Sequence, residues 1–324
     1  MPRCFQALWI ALLLMVAAVI AGAQVRVDVR LVNVVATVTD GRGRSISNLT
    51  ADDFILEEDG KPQQITHFSQ DQNVPVSVGI LLDTSGSMDR KIKTAVEAVD
   101  RFSRRIHQND EIFLITFSGR PVLRQDFTDV REKLSQALRH VNATGGTALY
   151  DALIEGLTKI RTGRHTKRAI LLITDGQDTA STAKLDDVLQ SIRQSELLIY
   201  PVGISGLTYA KDFETFTPRV LSALLPIKSQ RSVQSKRDEV DLNVLRELAE
   251  NSGGRAFLLA ETLINRGGQI EKVLDSIADE LRSQYTLGFY PARPDDGRYH
   301  RLRVRARSGN VVRARRGYFA RQAD

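Results

Sequence analysis

The run from Val76 to Met88, V-S-V-G-I-L-L-D-T-S-G-S-M, limits the possible folds of this chain more than any other stretch. Val76, Val78, Ile80, Leu81 and Leu82 put apolar side chains at odd and even positions alike, which predicts a strand buried on both faces. Such strands belong to parallel sheets covered by helices. Asp83 then falls at the carboxyl end of a central strand, where open α/β sheets place their ligands. Asp83, Ser85 and Ser87 alternate, and Gly86 lets the chain turn, so one carboxylate and two hydroxyls form a compact oxygen cluster. Oxygen-only ligation suits a hard divalent cation, Mg²⁺ or Mn²⁺, far better than zinc. These residues by themselves also read as a plain strand-to-helix turn with Ser87 or Asp89 as the N-cap.

Two further stretches bear on that choice. Thr144-Gly145-Gly146-Thr147 precedes a helical run, and Ile170 to Gly176, I-L-L-I-T-D-G, repeats the pattern of an apolar strand ending in an acid. A doubly wound sheet would present all three on one edge. In that order, Asp83, Ser85, Ser87, Thr147 and Asp175 resemble the metal-ion-dependent adhesion site of von Willebrand factor type A domains. The resemblance spans roughly Val76 to Leu259. It implies that Ser85, Ser87 and Thr147 coordinate Mg²⁺ or Mn²⁺ directly, while Asp83 and Asp175 fix the metal and its waters. It further implies a protein partner whose acidic side chain completes the shell, so that the chain binds and does not catalyse. Asp83 is expected on a rim and not in the core, and Asp178 is assigned to loop capping. By analogy with related domains, the final helix, about Gln269 to Gln284, would shift when the shell is completed.

The 324 residues are 42% hydrophobic, enough for one large core and a smaller one. Met1 to Ala23 reads as a cleaved secretory signal, with an uncleaved anchor as the alternative: Arg3, an apolar run from Ala7 to Ile20, and Ala21-Gly22-Ala23. The single cysteine, Cys4, falls inside it, so the exported chain, secreted or periplasmic, would be held by its core without disulfides.

Residues 24–72 read as a β segment. Val25 to Thr39 alternates as half-buried strand, Thr50 starts a short helical turn, and Phe54–Glu58 pairs with Gln64–Phe68 around Asp59-Gly60. Residues 73–284 alternate strand and helix, which specifies a mainly parallel sheet with helices on both faces. A loop of about 205–239 interrupts them, read as a solvated surface insertion with a binding loop as the alternative. Residues 285–324 return to β structure. The N-terminal segment is too small to stand alone, and Leu302, Val304 and Ala306 need a cover. The fold class is therefore α/β, a doubly wound, mainly parallel sheet inserted in a small all-β sandwich made by the two ends.

Other chemistry finds little support. His67, His107, His140, His165 and His300 lack metal-ligand spacing and are assigned to surface or half-buried positions. Ser85 is not in a G-x-S-x-G setting, and Gly145-Gly146 is not followed by the Lys of a phosphate-binding loop. Formal net charge is +6, and Arg301, Arg303, Arg305 and Arg307 share one strand face, with Arg313, Arg315 and Arg316 nearby. That stripe could meet an acidic envelope surface, although a wet face that deters edge pairing is the simpler reading. No aromatic pattern accompanies it, so no specific nucleic acid is implied. The rival functional class is an accessory subunit of an enzyme or envelope assembly complex; the export signal and the lack of a nucleotide motif argue against it.

Overall fold

The structure is a computed structural model and describes residues 31–70, 74–205, 241–260, 268–291 and 296–320. The central sheet assembles from the chain's most apolar runs. These are β5 (Val76–Asp83), β6 (Glu111–Phe117), β8 (Lys167–Thr174), β9 (Leu198–Ser205) and β10 (Phe257–Ala260), with β7 (Pro121–Thr128) at one edge. The order is β10-β9-β8-β5-β6-β7, parallel throughout except that β7 runs antiparallel to β6. Alternation does not predict β7, because P-V-L-R-Q-D-F-T mixes charge into an exposed edge. It is held by pairing to β6 through two register shifts.

Because β5 is buried at all eight positions, its side chains feed two separate cores. Val76, Val78, Ile80 and Leu82 pack under α1 (Ile92–Arg105), α2 (Arg131–Leu138) and α6 (Gln269–Arg282). Leu81, with Phe113, Ile115 and Phe117 of β6, packs under α3 (Leu149–Ile160), α4 (Leu185–Arg193) and α5 (Leu242–Ser252). Full burial of each such side chain contributes roughly 1.5–3 kcal/mol, so this strand anchors both faces and fixes where its carboxyl end lies.

Two four-stranded antiparallel sheets flank the central one. The first has the order β13-β1-β11-β4, from β1 (Val32–Thr39), β4 (His67–Gln70), β11 (Tyr285–Phe289) and β13 (Val311–Ala314). The second has the order β14-β12-β2-β3, from β2 (Phe54–Glu58), β3 (Lys61–Gln63), β12 (Tyr299–Ala306) and β14 (Gly317–Phe319). They share one apolar cluster that includes Val34, Phe54, Leu56, Tyr285, Leu287, Phe289, Leu302 and Tyr318. Phe54, Phe68 and Tyr285 meet with ring centroids 5.2–5.9 Å apart. Glu280 of α6 ties this region to the central sheet: it accepts from Tyr200 Oη of β9 at 3.0 Å and pairs with Arg313 of β13.

Several sequence expectations change. The hairpin partner of β2 is Lys61–Gln63, since the tight Asp59-Gly60 turn brings the very next residues back; His67–Gln70 pairs with β11 instead. Strand β1 is not half-buried: from Ala36 to Thr39 every residue is buried. His300 is buried between Asp59 and Asp296, with Nδ1 at 2.8 Å from one and Nε2 at 3.0 Å from the other. Arg315 is buried and donates to the Asn33 carbonyl at 2.6 Å, and Arg313 pairs with Glu280, so neither joins an exposed arginine stripe. The stripe itself keeps its exposed positions at Arg301, Arg303, Arg305 and Arg307, with Arg305 paired to Glu57. Residues 1–30, most of the 205–239 loop and the end of the chain lie outside the described residues, and so do the sequence expectations that fall on them.

Candidate metal centre

Parallel pairing of β5 with β8 sets Leu82 beside Ile173, so Asp83 and Asp175 emerge next to each other at the same sheet edge. The third stretch is drawn in by backbone hydrogen bonds. Gly86 N–H donates to the Gly145 carbonyl at 3.0 Å, and Thr144 N–H donates to the Thr84 carbonyl at 2.8 Å. Gly145 reaches this position with φ of +81°, a region in which a side chain would be strained.

Three side chains, Ser85, Ser87 and Asp175, form a continuous run of oxygen contacts, and Asp83 joins it at the Ser85 amide. The hydroxyls of Ser85 and Ser87 lie 3.0 Å apart, and Ser87 Oγ donates to Asp175 Oδ1 at 2.7 Å. Asp83 Oδ1 accepts from the Ser85 amide at 2.8 Å, and its Oδ2 accepts from Thr174 Oγ1 at 2.6 Å. Thr147 completes the cradle. A β-carbon at Gly176 would stand 3.6 Å from Thr147 Oγ1 and 3.9 Å from Ser87 Oγ, so both hydroxyls crowd the same glycine. Thr147 is held by Thr179, whose Oγ1 accepts from the Thr147 amide at 3.0 Å and whose amide donates back at 2.8 Å.

Asp178 acts as a cap. Its Oδ1 accepts from the Leu149 amide at 2.8 Å and the Tyr150 amide at 3.3 Å, at the start of α3. This carboxylate fixes the helix that follows Thr147 and stays out of the oxygen run.

Asp83 does not sit on an open rim. It is 0% exposed, because the turn after β5 folds back over the strand end and Thr174 closes the other side. Burial pushes its carboxyl up to about 6, against the hydrogen bonds from Thr174 and Ser85, and the nearby charge of Asp175 adds to the rise. A buried carboxylate held this way is stabilised by any cation that approaches it.

The residues present fit a divalent ion by their chemistry: two carboxylates and three hydroxyls converge, with no sulfur or imidazole among them. Among the described residues, no group of three or more His, Cys, Asp or Glu side chains gathers to hold a metal, and this centre itself brings two carboxylates together with hydroxyls. One neighbour escapes sequence reasoning. Lys91, on the turn before α1, is 5% exposed, and its Nζ pairs with Asp175 Oδ2. Its spacing from Asp175 in the chain carries no signal, because only the closed loop brings the two together.

Fold and site together define an α/β protein with a mainly parallel sheet and an oxygen-lined cradle at that sheet's carboxyl edge. The family model of the von Willebrand factor type A domain matches residues 78–177, which hold all five candidate ligands. No curated protein matches the chain. Among solved structures, it is similar to a von Willebrand factor type A protein from Catenulispora acidiphila, with 12% identity, a TM-score of 0.49, and coverage of 88% of this chain and 71% of that one. It is also similar to the vWF domain of the type V pili tip protein Mfa5 from Porphyromonas gingivalis, with 26% identity and a TM-score of 0.32. There the match covers 33% of this chain and 39% of the other. A third likeness is to proximal thread matrix protein 1 of the mussel byssus, whose adhesion-site motif is zinc-occupied. Identity is 12%, the TM-score is 0.49, and coverage is 69% of this chain and 49% of that one.

Proposed function

We propose that this chain is an exported protein-binding module whose centre takes Mg²⁺ or Mn²⁺ on Asp83, Ser85, Ser87, Thr147 and Asp175. One observation carries the reading. Hydroxyls and a carboxylate from two distant stretches, Ser85, Ser87 and Asp175, meet within hydrogen-bond distance at the carboxyl edge of the parallel sheet, and the Thr147 hydroxyl of a third stretch lies against the same glycine, Gly176, as Ser87. When bound, the ion would supply a Lewis-acidic position open to an outside oxygen, and the acidic side chain of a protein partner is the donor that suits it. The chain's own residues hold that position. Asp83 orients the Ser85 loop through the Ser85 amide, Ser87 donates a hydrogen bond to Asp175, and Asp178 pins the helix behind Thr147. The hydroxyls of Ser85 and Ser87 contact each other and a carboxylate, which favours ligation over nucleophilic attack.

The proposal includes an adhesive or scaffolding role at the cell surface or in the periplasm. It also includes the division of the chain into a signal at 1–23, β segments at 24–72 and 285–324, and a type A domain at 73–284. Calorimetric titration of the purified chain with Mg²⁺ and with Mn²⁺ tests the centre. Capture of partners from an envelope extract, with metal and then with chelator, tests the function. Saturable metal binding and partners recovered only with metal are the expected results. Absence of metal binding overturns the reading.

A further inference from the structure

Lys91 is the one group at this centre that an oxygen-donor shell leaves unexplained. Its side chain is 6% exposed, and the Asp175 side chain it pairs with is 0% exposed. Taking an ammonium out of water costs several kcal/mol unless an opposite charge offsets it, so a lysine buried here is kept by that carboxylate. The two oxygens of Asp175 are thereby divided: Oδ1 accepts from Ser87, a candidate ligand, while Oδ2 faces Lys91.

The charge count at the centre follows. Asp83 and Asp175 contribute two negative charges and Lys91 one positive, which leaves a single negative charge. Two carboxylates with a divalent ion would come to zero and offer an acidic ligand little net attraction. With Lys91 in place, the loaded centre carries one positive charge, which a single carboxylate neutralises.

We propose that Lys91 sets the specificity of this centre, as a resident counter-cation to Asp175. It holds the loop after β5 against the end of β8 without metal, weakens divalent-ion binding, and makes the loaded centre select a ligand with one carboxylate. The inference rests on the metal-binding reading above and assigns Lys91 within it.

The test uses the full chain with Lys91→Met and Lys91→Arg, read by Mn²⁺ calorimetry and by thermal melting in chelator. Lys91→Met is expected to bind Mn²⁺ at least tenfold more tightly than the parent. It should melt lower in chelator and recover the difference when Mn²⁺ is added. Lys91→Arg keeps the charge and should stay within about threefold of the parent. Acetate, as the simplest carboxylate, should bind the Mn²⁺-loaded parent more tightly than loaded Lys91→Met.

Unchanged or weaker Mn²⁺ binding by Lys91→Met, with the parent binding normally, overturns the role of Lys91 alone. Failure of both proteins to bind Mn²⁺ overturns the metal reading and this inference with it. Should Lys91→Met not fold, the double variant with Asp175→Asn removes both charges. Recovery of folding supports the ion pair as the reason, and continued failure shows that Lys91 acts through packing and overturns the proposal.

Discussion

At the edge of the parallel sheet, Asp83 and Asp175 are buried among hydroxyls, and burial drives the Asp83 carboxyl up to about 6. In the β region, Asp59 and Asp296 clasp His300 from opposite sides, and both carboxyls are held below the usual range. For Asp59 the main cause is the His300 hydrogen bond; for Asp296 it is the Arg298 amide, with His300 second. His300 responds in kind. Burial opposes its protonation, yet the two carboxylates outweigh burial and raise its pKa. Next to it, Tyr318 stacks on the His300 ring and donates to buried Glu58 at 2.6 Å.

One region has thus closed its electrostatics internally, and the other has not. A carboxylate that keeps a raised pKa in a folded protein works against stability at neutral pH, which is the mark of a binding site more than of a structural one. The β cluster has the opposite signature and serves the fold.

The comparison can be broken or sharpened by experiment. The largest effect is expected from deleting residues 285–324. That deletion removes the strands against which β1, β2 and β4 pair, so the N-terminal strands should lose protection entirely. The proposed type A domain should still unfold cooperatively. Limited proteolysis and hydrogen exchange on the truncated chain check this, and persistent protection at residues 32–70 would show that the two ends fold separately.

Next comes Asp83→Asn. It should abolish Mn²⁺ binding and yet stabilise the chain in chelator, because an uncharged amide replaces a disfavoured charge. The rise of Asp83 from 3.8 to about 6 bounds the gain at about 3 kcal/mol near pH 7, at about 1.4 kcal/mol per unit. Melting in chelator and metal calorimetry read the two halves separately. Retained metal affinity would mean the ligand set is misassigned.

His300→Gln should move the other way and cost about 2 kcal/mol, the scale of lost charge-assisted hydrogen bonds. The sign of its pH dependence follows from a raised histidine. The stabilisation by His300 is full below its unfolded pKa of about 6.5 and fades as pH rises through the raised folded value. The depressed carboxyls of Asp59 and Asp296 add a term present above an unfolded pKa of about 3.9 and lost in stronger acid. The stability difference between parent and His300→Gln should therefore be widest between these limits and shrink toward pH 8. A difference flat in pH would show that His300 acts by packing alone.

The smallest effect is expected at Arg305→Ala. The Arg305 side chain is 47% exposed where it meets Glu57, and ion pairs of this kind contribute about 0–1 kcal/mol. Chemical denaturation of the variant should fall within that range. A larger loss would place this arginine in the same structural class as His300.

Much of this could be read in the sequence. Unbroken apolar runs located β5 and β8, and period-3.6 apolar patterns located α1, α3 and α6, within a few residues, because burial on a regular element writes its spacing into the chain. The five candidate ligands stood out as an ordered set through their resemblance to a known adhesion site, each following a strongly patterned strand or preceding a patterned helix.

Tertiary structure decided the rest. Strand β7 is an exposed edge whose charges hide its pattern, and it exists through pairing to β6. The hairpin partner of β2 depended on turn geometry, and His67–Gln70 went to another sheet because β11 offered a free edge. The burial of Asp83, Lys91, His300 and Arg315 was also invisible along the chain. Composition marks such residues as surface, and only a partner brought from far away makes burial affordable: Thr174 for Asp83, Asp175 for Lys91, Asp59 for His300, the Asn33 carbonyl for Arg315. Local pattern therefore fixed which elements form and where ligands could sit. The charge state of the centre was settled by long-range contacts, since electrostatic energy depends on distance in space and burial, and neither is written in spacing along the chain.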